Sequence, residues 1–172
     1  MRQISLAVAI AGASLLPASA AHAGEIFGGV YVHDVDTPLT RSGFEKGADV
    51  HLGWRGDRIG RTVFQPYVFA AVNTSGETHY AAAGISAKFG REVYFRPGLG
   101  IAVHTGSTDN FQRTDRIAFG SRILFEPEVN LGAQVSERVS IEASWVHMSH
   151  AQLRGRENPG IDNLGFRVNL AL

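Results

Sequence analysis

Three side chains near the carboxy end of the chain make up the set that a serine nucleophile requires: the hydroxyl of Ser149, the imidazole of His147 and the carboxylate of Asp162. A serine hydroxyl is a weak nucleophile until a base takes its proton. An imidazole serves as that base when a carboxylate orients it and stabilises its charged form. Spacing alone says little, because a His and a Ser two residues apart are ordinary where any strand leaves an apolar layer. What would unite the three is a sheet that places them on one face, so the elements that carry them decide.

The start of the chain stands apart from those elements. Arg2 supplies one positive charge, Ile4 to Leu16 is an almost unbroken apolar and small-residue run, Pro17 breaks it, and Ala21-His22-Ala23 follows. This is the pattern of a secretory signal with cleavage expected after Ala23. The run is too short for a membrane helix, which takes about 20 residues. Residues 1–23 are therefore read as a signal peptide and 24–172 as one domain.

Removing Arg2 leaves one more acidic than basic side chain from Gly24 onward. That balance gives no electrostatic argument for nucleic acid, and no nucleic-acid partner is expected. The absence of cysteine excludes disulfides and thiolate chemistry. With 44% hydrophobic residues, 20 glycines and a mean hydropathy of −0.03, the averages suit either a soluble sandwich or alternating membrane strands. Periodicity separates them. From Val93 the odd positions read Val93, Phe95, Pro97, Leu99, Ile101 and Val103, against Tyr94, Arg96, Gly98, Gly100, Ala102 and His104. Next come Ile117, Phe119, Ile123, Phe125, Val129, Leu131 and Val135 against Arg116, Arg122, Glu126, Glu128, Asn130 and Gln134. Such runs exceed the usual strand of about 5–6 residues and match the ~9–11 tilted residues that cross a bilayer.

Expected strands are Glu25–His33, Gly47–Arg55, Thr62–Asn73, His79–Phe89, Glu92–Thr105, Arg116–Ser136, Arg138–Ser149 and Ile161–Leu172. The fold class is thus all-β, an eight-stranded antiparallel up-and-down transmembrane β-barrel. Gly90-Arg91 and Ser136-Glu137 read as tight periplasmic turns; Asp34–Phe44, Thr105–Asp115 and His150–Gly160 read as longer external loops. Pro97 and Pro127 are read as bulges or bends. Glu126, Glu128, Glu142, Arg96, Arg116, Arg122 and Arg167 are read as lumen partners, and Trp54, Trp145 and Tyr31 as interfacial anchors.

Strand parity then bears on the chemistry. Val139, Ile141, Ala143, Trp145, His147 and Ser149 share one face of the seventh strand, and Asp162 shares the face of Leu164, Phe166, Val168 and Leu170 on the eighth. Alternation sends both sets toward lipid, with the polar groups at the outer ends of neighbouring strands.

The string His147-Met148-Ser149-His150-Ala151, followed by Asn158-Pro159-Gly160-Ile161-Asp162-Asn163-Leu164-Gly165, resembles the carboxy-terminal signature of the PagL-type lipid A 3-O-deacylases, which are eight-stranded outer-membrane barrels. The family pattern is His-x-Ser-Asn-Ala, then Asn-x-Gly and a carboxylate. Here His150 stands for the Asn, and the acid is Asp162 rather than the usual Glu. The resemblance implies His147 as general base, Ser149 as nucleophile, Asp162 as orienting acid with Glu157 as the alternative acid, and Asn158 as an oxyanion-side or site-shaping residue. It implies hydrolysis of the 3-linked acyl ester of lipid A in the outer leaflet of the bacterial outer membrane, with no cofactor and no metal. A homodimer is left open. Two other readings stand beside it: a non-catalytic structural or adhesive barrel, and a phospholipid esterase of the same geometry. His33, His51, His79 and His104 lack metal-ligand spacing. Gly98-Leu99-Gly100 lies mid-strand and is read as close packing.

Overall fold

The eight expected stretches all become strands in the computed structural model, which describes residues 24–40, 44–109, 116–151 and 160–172. They are β1 (Glu25–Val32), β2 (Ala48–Arg55), β3 (Phe64–Asn73), β4 (Tyr80–Ala87, resumed as Phe89–Gly90), β5 (Val93–His104), β6 (Ile123–Gln134), β7 (Val139–Met148) and β8 (Ile161–Ala171). Every strand pairs antiparallel with its neighbours in sequence. β1 pairs with β8 from Glu25↔Ala171 to Val32↔Leu164, which closes the sheet and leaves no edge. The expected signal peptide lies outside the described residues.

Alternation sorts the two faces. Val30, Leu52, Val68, Ile101, Leu131 and Phe166 are all exposed, Phe166 at 76%. An apolar belt around the whole barrel has no place in water, and it suits a bilayer. Inside, the fully buried Arg55, Arg96 and Arg167 are neutralised by Glu25, Glu128 and Glu142. Gly98 and Gly100 lie against the Glu128 and Glu126 side chains, with no room for a Cβ. The lumen is therefore packed, its charged network lying beside a cluster of buried aromatic and aliphatic side chains that includes Phe27, Phe69 and Tyr67. Arg167 donates to Glu128 at 3.0 Å and to the Tyr31 hydroxyl at 3.0 Å. Arg167→Met is expected to destabilise the barrel by about 3–5 kcal/mol, because the facing carboxylates keep their charge without the guanidinium. Urea unfolding in detergent checks this; an unchanged midpoint would contradict it.

Four expectations need correction. First, Pro97 and Pro127 make no bulge: the β5–β6 register runs unbroken from Val93↔Ala133 to Val103↔Ile123. Each proline instead withholds an N–H from its other neighbour. β4 and β5 pair up to Ser86↔Gly98 and resume at Phe89↔Phe95 in the same register, so the gap falls where Ala87 faces Pro97.

Second, the sixth strand begins at Ile123 and not Arg116. Ile117 and Phe119 are buried inside, with Phe119 packed on the His104 ring at 4.4 Å between centroids. An apolar side chain folded into the barrel mouth has the same sequence parity as one facing lipid. Third, Arg116 and Arg122 are exposed and are not lumen partners; Arg122 donates to the carbonyls of His104 and Gly106. Fourth, Tyr31 is no interfacial anchor. It faces the lumen, stacked on His51 at 3.7 Å.

The external end is tied down by His33, which bonds Asp49 at 2.9 Å and Glu45 at 3.0 Å. Burial alone would push the imidazole pKa down, but the hydrogen bonds to the two carboxylates outweigh it and hold the pKa at about 9. The charged His33 thus staples the end of the β1–β2 connection to β2. Among the described residues no His, Asp and Glu group has the arrangement of a metal site.

Candidate active site

β7 and β8 run side by side with His147 directly opposite Asp162 and Trp145 opposite Leu164. Residues opposed in this way project from the same face, and here that face is the one carrying the exposed Leu164, Phe166 and Val168. Ser149 continues the row. It lies just beyond β7 and bridges Phe125, which is itself on the lipid side. Between these points the β6–β7 ladder is interrupted. The register of Glu128↔Val146 and Phe125↔Ser149 sets Pro127 opposite His147, and Pro127 has no N–H to give that carbonyl.

The three side chains form one chain of hydrogen bonds. His147 Nδ1 lies 2.8 Å from Asp162 Oδ1, and His147 Nε2 lies 3.0 Å from Ser149 Oγ. An ionised carboxylate only accepts, so Nδ1 carries the proton and Nε2 is left to accept from the Ser149 hydroxyl. Asp162 is fully buried although it faces outward; His147 is 8% exposed and Ser149 6%. The cover over Asp162 comes from residues that sequence reasoning passed over. Thr40 Oγ1 donates to Oδ2 at 2.6 Å, Thr37 Oγ1 donates to the same oxygen, and Trp145 Nε1 donates to Oδ1 at 2.8 Å. Trp145, read from the sequence as an interfacial anchor, is thereby also a partner of the carboxylate. Glycine is required at position 160, where a Cβ would lie 2.8 Å from His147 Cε1 and 2.8 Å from Thr40 Cγ2. Asn158 and Glu157 lie outside the described residues.

Immediately below the hydrogen-bonded row, an apolar groove of about 470 Å³ opens on the same wall, lined among others by Val129, Leu131, Ala143, Trp145, Leu164 and Phe166. Trp145 therefore touches both features: its ring lines the groove and its N–H holds the carboxylate.

Residues 37–171 match the sequence profile of lipid A 3-O-deacylase (PagL). The chain belongs to that family. It is accordingly an outer-membrane barrel and a carboxylic ester hydrolase, in the PagL family whose activity is lipid A deacylation. Among solved structures it is similar to the outer-membrane enzyme PagL, at 18% identity over 86% of this chain and 99% of that one, with a TM-score of 0.59. It is similar also to Neisserial surface protein A, at 15% identity over 89% and 100%, with a TM-score of 0.60. The two likenesses are equal in quality, so they establish the eight-stranded fold and leave the chemistry to the family profile. No curated protein matches the chain. The PagL-type string read from the sequence falls inside the matched span, and the reading of a non-catalytic barrel is set aside by the family.

Proposed function

We propose that the chain removes the 3-O-linked acyl chain of lipid A by a serine esterase mechanism, with Ser149 as nucleophile, His147 as general base and Asp162 as the acid that orients it. The observation that carries this is the continuous hydrogen-bond chain from Asp162 through His147 to Ser149 on the lipid-facing wall. In the first step Ser149 Oγ attacks the ester carbonyl carbon while its proton passes to His147 Nε2. The tetrahedral intermediate collapses by losing the sugar 3-oxygen, which takes that proton, and the acyl chain stays on Ser149. Water then attacks the acyl ester with His147 again as base, freeing the fatty acid and restoring the hydroxyl. Asp162 keeps its charge throughout and stabilises the imidazolium, most effectively where water is excluded. Asn158 is proposed as an oxyanion-side donor or a residue that shapes the site.

Position fits substrate. A triad on the outer end of the lipid-facing wall meets the boundary between sugar and acyl chain of an outer-leaflet glycolipid, and the groove under Trp145 takes the departing chain without moving it into water. Mass spectrometry of lipid A from cells expressing the wild type or Ser149→Ala tests the reading. Loss of one 3-hydroxyacyl chain with the wild type alone is expected; intact lipid A with fatty acid released from phospholipid would contradict it.

The groove makes a separate expectation. Ala143→Phe would fill it and deny the acyl chain about two methylenes of contact, at ~0.8 kcal/mol each. The kcat/KM for lipid A is expected to fall about tenfold, while hydrolysis of a short-chain aryl ester stays unchanged. Equal losses on both substrates would show that the groove does not hold the chain.

A further inference from the structure

The β1–β2 connection reaches the site from the far end of the sequence, because closure of the barrel sets β1 beside β8. Its first residues are docked along the outer start of β8. Val35 N–H donates to the Asp162 carbonyl at 2.8 Å, and Asp34 N–H donates to Asn163 Oδ1 at 3.0 Å. Asp34 adopts a left-handed backbone, φ 53, and its own carboxylate accepts from the amides of Phe44 and Glu45, both at 2.9 Å. The docked segment ends in Thr37 and Thr40, whose hydroxyls converge on Asp162 Oδ2. The direction of the Thr37 hydroxyl is fixed. Its oxygen already accepts from the amides of Leu39 at 3.0 Å and Thr40 at 3.3 Å, which leaves its proton for the carboxylate.

We infer that Thr37 and Thr40 are positioning residues for the hydrolytic reaction, acting through Asp162. A carboxylate offers about four acceptor sites, and Asp162 receives four donors: His147 and Trp145 on Oδ1, the two threonines on Oδ2. With Oδ2 held, the carboxylate cannot rotate about its Cβ–Cγ bond, and Oδ1 stays in the plane where His147 Nδ1 needs it. The external connection is thereby part of the catalytic assembly and not only a cover. The inference rests on the reading of Asp162 as the orienting acid.

A double-mutant cycle tests it. Thr37→Val and Thr40→Val, singly and together, keep shape and remove the hydroxyls. Each is made in the wild-type and Asp162→Ala backgrounds, and kcat is read on an activated aryl ester, where low residual rates are measurable. Folding is checked by heat-modifiable migration. In the wild-type background the double variant is expected to lose about ten- to a hundredfold in kcat, as for loss of hydrogen bonds to a charged group, with KM within about twofold. In the Asp162→Ala background the same substitutions should change kcat by less than about twofold, because residues that act as a unit are non-additive. Thr37→Ser and Thr40→Ser should retain wild-type kcat. The same factor in both backgrounds, or no loss in the wild-type background, overturns the inference while leaving the acid assignment intact. A wild-type rate for Asp162→Ala itself overturns the acid assignment and the inference with it. If the double valine variant does not assemble, the Thr40→Val single variant carries the cycle.

Discussion

Ser149→Ala and His147→Ala are each expected to lower deacylation by at least about 10⁴-fold, with barrels that still fold. The size follows from the roles: without the hydroxyl there is no acyl-enzyme, and without the imidazole the hydroxyl proton has nowhere to go. Retention of the fold follows from what each side chain touches. Ser149 holds its place through two backbone bonds with Phe125, which alanine keeps. Removing the imidazole leaves Asp162 with donors from Trp145, Thr37 and Thr40, so no buried charge is stranded. Rates on purified lipid A, with heat-modifiable migration as the folding check, separate the two effects. A variant that fails to assemble would show that the residue is structural, and one that retains activity would remove it from the mechanism.

Asp162→Asn is expected to cost about 10²–10³-fold in kcat, less than the ~10⁴ seen where the amide leaves the imidazole in the wrong tautomer. The difference lies in Trp145. Its indole N–H can only donate and points at the Oδ1 position, so it selects the rotamer that keeps the amide oxygen there. On the other side the Thr40 hydroxyl can turn and accept from the amide nitrogen, while Thr37, whose oxygen already accepts from two amides, only loses its acceptor. The correct tautomer of His147 survives, and what is lost is the negative charge that stabilises the imidazolium. Combining Asp162→Asn with Trp145→Phe should release that restraint and deepen the loss. An unaltered rate for Asp162→Asn would move the acid elsewhere, with Glu157 the first alternative.

The sequence reading and the structure meet most closely where alternation is strict. Leu164, Phe166, Val168 and Leu170 fix the outward face of β8 and carry Asp162 with them; Ile141, Ala143 and Trp145 do the same for His147. Parity puts the carboxylate and the imidazole on one face of two adjacent strands, and that much was legible; the register that sets His147 opposite Asp162 comes from the pairing itself. Thr37 and Thr40 were not, because their link to Asp162 spans 125 and 122 residues and depends on closure of the sheet. An eight-stranded closed barrel does imply that the connection after β1 stands over the start of β8, but it does not say which side chain turns down. Ile117 and Phe119 show the converse limit. Period-two alternation reports that a residue is apolar on one side, and a segment folding back into the barrel mouth satisfies it as well as one facing lipid. Tyr31 shows another: an aromatic near a strand end fits an interfacial belt by type, yet its parity, opposite to that of the exposed Ile26, Val30 and Val32, already turns the ring into the lumen, where it stacks on His51.

The central claim is that Ser149, on the lipid-facing wall, is the nucleophile activated by His147. Reaction of the folded barrel with a fluorophosphonate, followed by peptide mass spectrometry, tests it most directly. One adduct is expected, on Ser149, formed in step with the loss of deacylation and abolished by His147→Ala. An adduct on any other residue that accounts for the inactivation, or full inactivation of a Ser149→Ala protein that still turns over, would contradict the account.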